Sequence, residues 1–219
     1  MAYIGTFPTS PGFQSVNFSM NTSTKRTQAA SGRIIRATNS TTVFGGTLQF
    51  PPMTQAEFRP IQAFIAQTDG GLNEFDIVIP TVSESQATDI ITGQSIASII
   101  DGRLFVDGAH SAGDTTINIT TLPDSAGTAL GDQVLLKAGD VVRFAGHTKV
   151  YMASTDINTD SAGGAVLNIK PGLVEALTDE EGITSTNVPF RMILNNDVQE
   201  FNYRTDELVE YEIDVIEAI

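Results

Sequence analysis

His110 and His147 are the only histidines in this 219-residue chain, which has no cysteine. Without thiols there is no disulfide framework, no thiolate zinc site and no cysteine nucleophile. Neither histidine stands in an H-E-x-x-H pair, so the pattern does not point to a zinc hydrolase. His147 lies in "FAGHTKVY", beside an expected hairpin turn, which suits a hydrogen-bonded turn residue better than a general base. Serines and aspartates are plentiful, but no nucleophile elbow anchors a triad. Asp156, Asn158 and Asp160 in "DINTDSAGG" take the first, third and fifth places of an EF-hand-like loop. Ser161 then stands where that loop needs glycine, and Leu167 where it needs a bidentate glutamate. A polar turn with side chain-to-backbone hydrogen bonds is the better reading. Asp179, Glu180 and Glu181 are adjacent, which does not set two carboxylates across a cleft. No Walker loop or G-x-G-x-x-G is present. No metal or cofactor is expected, and the chain reads as a non-enzyme.

The chemistry that remains is charge. The chain carries 26 acidic against 12 basic residues, a net −14, which argues against general affinity for nucleic acid. From Met1 to Ala56 there is no Asp or Glu, only Lys25, Arg26, Arg33 and Arg36. No aromatic residue interrupts those four cations, so they do not build a base-stacking platform. At the far end Glu210, Glu212 and Asp214 lead an acid-rich tail in which Arg204 is the lone cation. These seven residues are the candidates for a subunit interface or for the lining of a lumen. Opposite charge at two ends steers head-to-tail association between copies; the competing reading is two solvated faces.

The elements that must position those charges are mostly strands. Val16, Phe18 and Met20 alternate with polar residues, the period of a half-buried strand. "NTSTKRTQAASGR" then reads as a polar, basic loop, and "GRIIRAT" with "TTVFGGTLQF" as a hairpin turning at Asn39-Ser40. Pro51 and Pro52 stop the strand. Thr54 and Glu57 form a capping box, and Phe58, Ile61, Phe64 and Ile65 follow as one apolar stripe of a helix bent or begun at Pro60. Gly70-Gly71 ends that helix, and "EFDIVIP" returns as a strand. "ELVEYEIDVIEAI" alternates strictly, with Glu210, Glu212 and Asp214 on the outer side, where acids discourage edge pairing.

Between these parts the texture changes. "TVSESQATDIITGQSIA" is polar and indecisive, whereas "DTTINIT", "DVVRFAG", "HTKVYMAS" and "AVLNIKP" are short strands between turns such as "DSAGTALGD". "KPGLVEAL" is expected to add one helical turn. Loops of that length are uncommon inside a compact domain, so residues 91–186 are read as an inserted β module. Residues 1–90 with 187–219 then form the outer β domain. "MAYIGTFPTSPGF" lacks the basic and apolar regions of a secretory signal, and no apolar run reaches the roughly 18 residues of a membrane helix. A protein folded in a cytoplasm, with no membrane partner, is expected.

The stretch "SGRIIRATNSTTVFGGTLQFPPMTQAEFRPIQAFIAQTDGGLNEFDIVIP" resembles the core of the distal tail protein family and related minor tail-tip proteins of long-tailed bacteriophages. "LKAGDVVRFAGHTKVYMAS", "LNIKPGLVEAL" and "VPFRMIL" resemble a β module of phage virion proteins. The resemblance implies a mainly β, tail-tube-like fold, a β-sandwich or split barrel with one packed helix, plus a small barrel-like module. It implies a ring, usually hexameric, that joins the tail tube to hub or baseplate proteins and lets DNA pass as cargo. The place would be the virion tail, assembled in the bacterial cytoplasm. The module is large for that family, and its tryptophan before the helix is missing, Phe44 and Phe50 being the nearest aromatics. A tail-completion or connector ring, and a host-surface or carbohydrate-binding virion module, are the alternatives.

Overall fold

The strand that starts at Ser15 continues past Met20 to Gln28, and the fold grows from the long pair it makes with the strand that follows. The computed structural model describes residues 1–87, 102–122 and 130–219. They form two compact units, Met1–Val78 with Phe190–Ile219, and Ile79–Pro189. The first unit begins with β1 (Tyr3–Thr6), β2 (Ser15–Gln28), β3 (Ile34–Gln49), β4 (Met53–Thr54), helix α1 (Gln55–Gln67) and β5 (Glu74–Val78). The second holds β6 (Leu104–Val106), β7 (Thr116–Thr121), β8 (Val134–Leu136) and β9 (Val141–Phe144). It continues with β10 (Val150–Ala153), β11 (Ile157–Asn158), β12 (Gly164–Lys170) and β13 (Ile183–Thr184). The chain then returns through β14 (Pro189–Leu194), β15 (Asn202–Tyr203), β16 (Leu208–Glu210) and β17 (Glu212–Glu217). The protein is therefore mainly β, with a single helix among the described residues.

The sheet of the first unit runs β1-β5-β14-β17-β3-β2, with β1 parallel to β5 and β17 and β2 antiparallel to β3. Gly45 and Gly46 let β3 pass between its neighbours. A Cβ on Gly46 would meet the Asn17 carbonyl oxygen, and one on Gly45 would lie 2.9 Å from that of Val215. α1 starts at the Thr54–Glu57 capping box, where each side chain takes a backbone N–H of the other. It carries Pro60 inside; the position is exposed, so water can take the Ala56 carbonyl that loses its donor. Phe58, Ile61 and Ile65 are buried, each contributing about 1.5–3 kcal/mol. Phe64 meets Phe7 and Phe75 edge-on at 5.2 and 5.6 Å between ring centroids.

In the second unit the order is β13-β9-β10-β12-β7-β6. The two outer strands meet: Phe105 bridges Gly182, and the Val106 N–H donates to the Glu181 carbonyl at 2.9 Å. The sheet thus nearly closes into a barrel. Leu104, Ile117, Leu135, Phe144, Tyr151 and Ile169 lie within its core. Where the chain enters and leaves this unit, Ser83 binds Val188 twice, through Oγ to the carbonyl at 2.9 Å and through its own carbonyl from the Val188 N–H at 3.2 Å.

Several local expectations change. Asn39-Ser40 is not a turn; it lies within β3, at a register shift opposite Thr22 and Thr24. The turn is at Ala29–Arg33, where the Ala29 N–H reaches the Arg33 carbonyl at 2.9 Å and Gly32 takes φ +80°. The expected loop from Asn21 is strand to Gln28. Residues 171–178 make no helix, because their N–H groups are used elsewhere: Leu173 donates to Asp114 and Leu177 to His110. The last strand breaks at Tyr211, with β16 in a small sheet beside β15 and β4, and β17 in the large one. Residues 88–97 of the polar stretch and 124–129 of the "DSAGTALGD" turn lie outside the described residues.

Candidate functional site

The residues weighed for catalysis and metal binding mostly support the backbone. His147 is buried, with Nδ1 2.9 Å from the Tyr151 hydroxyl and its ring against Phe144; its Nε2 has no hydrogen-bond partner among the described residues. His110 accepts the Asn118 N–H at 3.1 Å through Nε2 and lies 3.9 Å from Asp114. The two histidines serve different partners in the second unit. Asp160 takes the N–H groups of Ala162 and Gly164 at 2.8 and 2.9 Å, forming the turn before β12. Asp156 takes the Ala138 N–H and the Lys137 ammonium at 2.9 and 3.0 Å. Those contacts, the backbone N–H first, hold its carboxyl below the usual range. Asp179 takes the N–H of Gly108, and Glu181 those of Gly146 and Thr178. Among the described residues no group of three or more His, Cys, Asp or Glu is placed to hold a metal.

The basic candidates come together. Arg26 and Arg36 are direct cross-strand partners, and Lys25 faces Ala37 one step away on the other side of the ribbon. Arg33 lies in the turn that joins the two strands. All four are exposed, and none makes an ion pair among the described residues. Only Gly45–Gln49 of β3 pair with β17, so from Phe44 outward β2 and β3 form a two-stranded arm. Every described side chain from Asn21 to Gln28 and from Ile34 to Thr38 is exposed, including Ile34 at 62% and Ile35 at 56%. An arm with both edges and both faces in water is marginally stable alone.

The acidic candidates gather as well. Glu210, Glu212 and Asp214 project from one side of β16 and β17 and line, with Gln49, Glu200 and Tyr211, a groove of about 520 Å³. Arg204 pairs with Glu210 at 2.6 Å and Asp206 at 3.1 Å. Asp214 accepts the Thr47 hydroxyl at 2.5 Å. Glu200 and Glu212 have no cationic partner among the described residues. Tyr211 forms the floor: it is buried, and its hydroxyl donates to Gln199 at 2.7 Å. Burial, helped by the charge of Asp214, pushes its phenol above the ordinary range.

Sequence reasoning missed the apolar component of the arm, Ile34 and Ile35, because a hairpin at Asn39 would have buried one of its faces. It also missed Gln49 and Glu200 in the groove. The signal for Gln49 was its period-2 position on the strand that ends at Phe50. Compared with known proteins, the chain matches no family model and no curated sequence. No helix among the described residues is long and apolar enough to cross a membrane.

Proposed function

We propose that this protein is a structural subunit, not an enzyme, that assembles with copies of itself into a closed ring of a phage tail tip or baseplate. In that ring it joins the tail tube to the hub, and DNA passes through the lumen. The observation that carries the reading is the arm: a strand pair with four unpaired cations and exposed isoleucines, for which its own unit provides no cover. The order of strand, capped helix and strand between Ile34 and Val78 is in keeping with the resemblance to tail-tip proteins. A carbohydrate-binding role loses its main support, since stacking on sugars needs exposed rings. The aromatics of the second unit are Phe105, which is half-buried, and Phe144 and Tyr151, which are buried. Native mass measurement tests the reading. A single closed oligomer, with six copies as the expected number, supports it; a monomer at every concentration tried overturns it.

A further inference from the structure

We propose that the β2–β3 arm of one copy docks along the acid-lined groove of the next, an inference that rests on the assembly reading and gives it its contact. The arm and the groove belong to the same sheet but to opposite ends of it. Gln49, at the rim of the groove, pairs with Ser15 and Glu212, whereas Arg36 pairs with Arg26 near the turn. At a strand rise of about 3.3 Å per residue, Arg36 and Gln49 are separated by about 40 Å. A copy therefore does not reach its own groove with its own arm. The receptor has to be a second molecule, and the contact is heterologous, the kind that closes into a ring or runs on as a filament.

Charge identifies the occupant. Arg26 and Arg36 face each other with no acid between them, and like charges directly opposite oppose the pairing that holds the arm together. Glu200 and Glu212 present the reverse situation, two carboxylates with no cation among the described residues. Bringing the arm into the groove gives both sets of charges opposite partners at once. Ile34 lies on the same side of the ribbon as Arg36, so the same move covers an exposed apolar side chain over the Tyr211 floor. A nucleic-acid phosphate would answer the arm's charge but would leave the groove unfilled, and the chain's net −14 repels it.

Because the chain has no cysteine, single thiols can be placed without background. Arg36→Cys and Glu212→Cys copies, distinguishable by a tag on one, are mixed and treated with a short bis-maleimide. Cross-linking between the two kinds of copy is expected, in the same particles that native mass records as oligomers. In parallel, Arg26→Glu with Arg36→Glu, and Glu200→Lys with Glu212→Lys, should each abolish the oligomer. Combining all four changes should restore it. Arg36→Cys copies that link only to each other would overturn the proposal in favour of an arm-to-arm contact. An oligomer that forms no link and ignores both charge reversals would overturn it while leaving the assembly reading intact. A chain that stays monomeric would overturn both.

Discussion

The sheet of the second unit curls until β6 meets the chain beside β13, while the sheet of the first ends at two open edges, β1 and β2. The difference extends to what fills them. The first unit packs rings on rings: Phe7, Phe50, Phe58, Phe75 and Tyr211 touch one another or shared neighbours at centroid distances of 5.0 to 6.4 Å. The second relies on Leu, Ile and Val, with Phe144 and Tyr151 as its two large buried rings. A closed sheet satisfies its own backbone and offers no edge for pairing, whereas an open one remains a template. Within the first unit only the arm carries the open edge beyond the sheet, and it carries the unpaired cations with it. The proposed self-association is therefore expected of the open unit.

The strongest way to test that contrast is to damage one core at a time. Phe58 is buried and packs against Phe201, Tyr203 and Tyr211; Phe144 is buried between His147 and Tyr151. Truncating either to alanine should cost about 3–5 kcal/mol. With Phe58→Ala, hydrogen exchange should accelerate in α1 and β16 and stay unchanged in β9 and β10; Phe144→Ala should give the reverse. Faster exchange everywhere from either change would show one cooperative body in place of two. A smaller effect on folding, but a plain one on association, is expected from Arg33→Glu with Arg36→Glu. Both residues are exposed and unpaired, so the melting temperature should hold while self-association weakens, more so at low salt, where the charges are least screened. An oligomer of unchanged size by light scattering at both low and moderate salt would count against the arm as the contact.

Much of this contrast was already legible in residue order. The Thr54–Glu57 box and the Phe58, Ile61, Ile65 stripe specify α1 locally, since each signal acts within a few residues. The short strands from Thr116 to Lys170 were legible for the same reason. The arm was not. Asn, Thr, Ser, Lys and Arg at positions 21–26 lack the apolar–polar alternation of a half-buried strand, because there is no buried face to encode. What makes them a strand is thirteen paired positions between β2 and β3, which is non-local information. The same holds for Asn39-Ser40, a turn by composition that the continuing ladder overrides. Of the groove, the three acids on alternate positions were readable. Gln49 and Glu200 come to the site through strand pairing and a loop, which sequence spacing does not report.

The smallest expected effect compares two exposed carboxylates, one in each unit. The Thr54 backbone N–H, and then its hydroxyl, hold Glu57 below the usual carboxylate range; the Ala138 N–H, and then Lys137, do the same for Asp156. A carboxyl lowered in the folded state takes up its proton later than in the unfolded chain. Its contribution is then present in full above the unfolded value and is lost as pH falls through the folded one. Screening by solvent keeps both contributions small. Glu57→Gln keeps an acceptor for the cap but removes the negative charge from the helix N-terminus. Its deficit against the wild type should be full at pH 7 and shrink as pH falls through the lowered folded-state value of the carboxyl. Asp156→Asn should show the same pH pattern, registered by exchange in β8 and β11 and not in α1. Thr54→Ala, which removes the acceptor for the Glu57 N–H, should cost about 1 kcal/mol and weaken the pH dependence of α1 without abolishing it, because the backbone N–H at that position still donates to Glu57. A Glu57→Gln deficit of the same size at pH 7 and pH 3 would mean that the cap acts through hydrogen bonding alone, with no part for the ionised carboxylate.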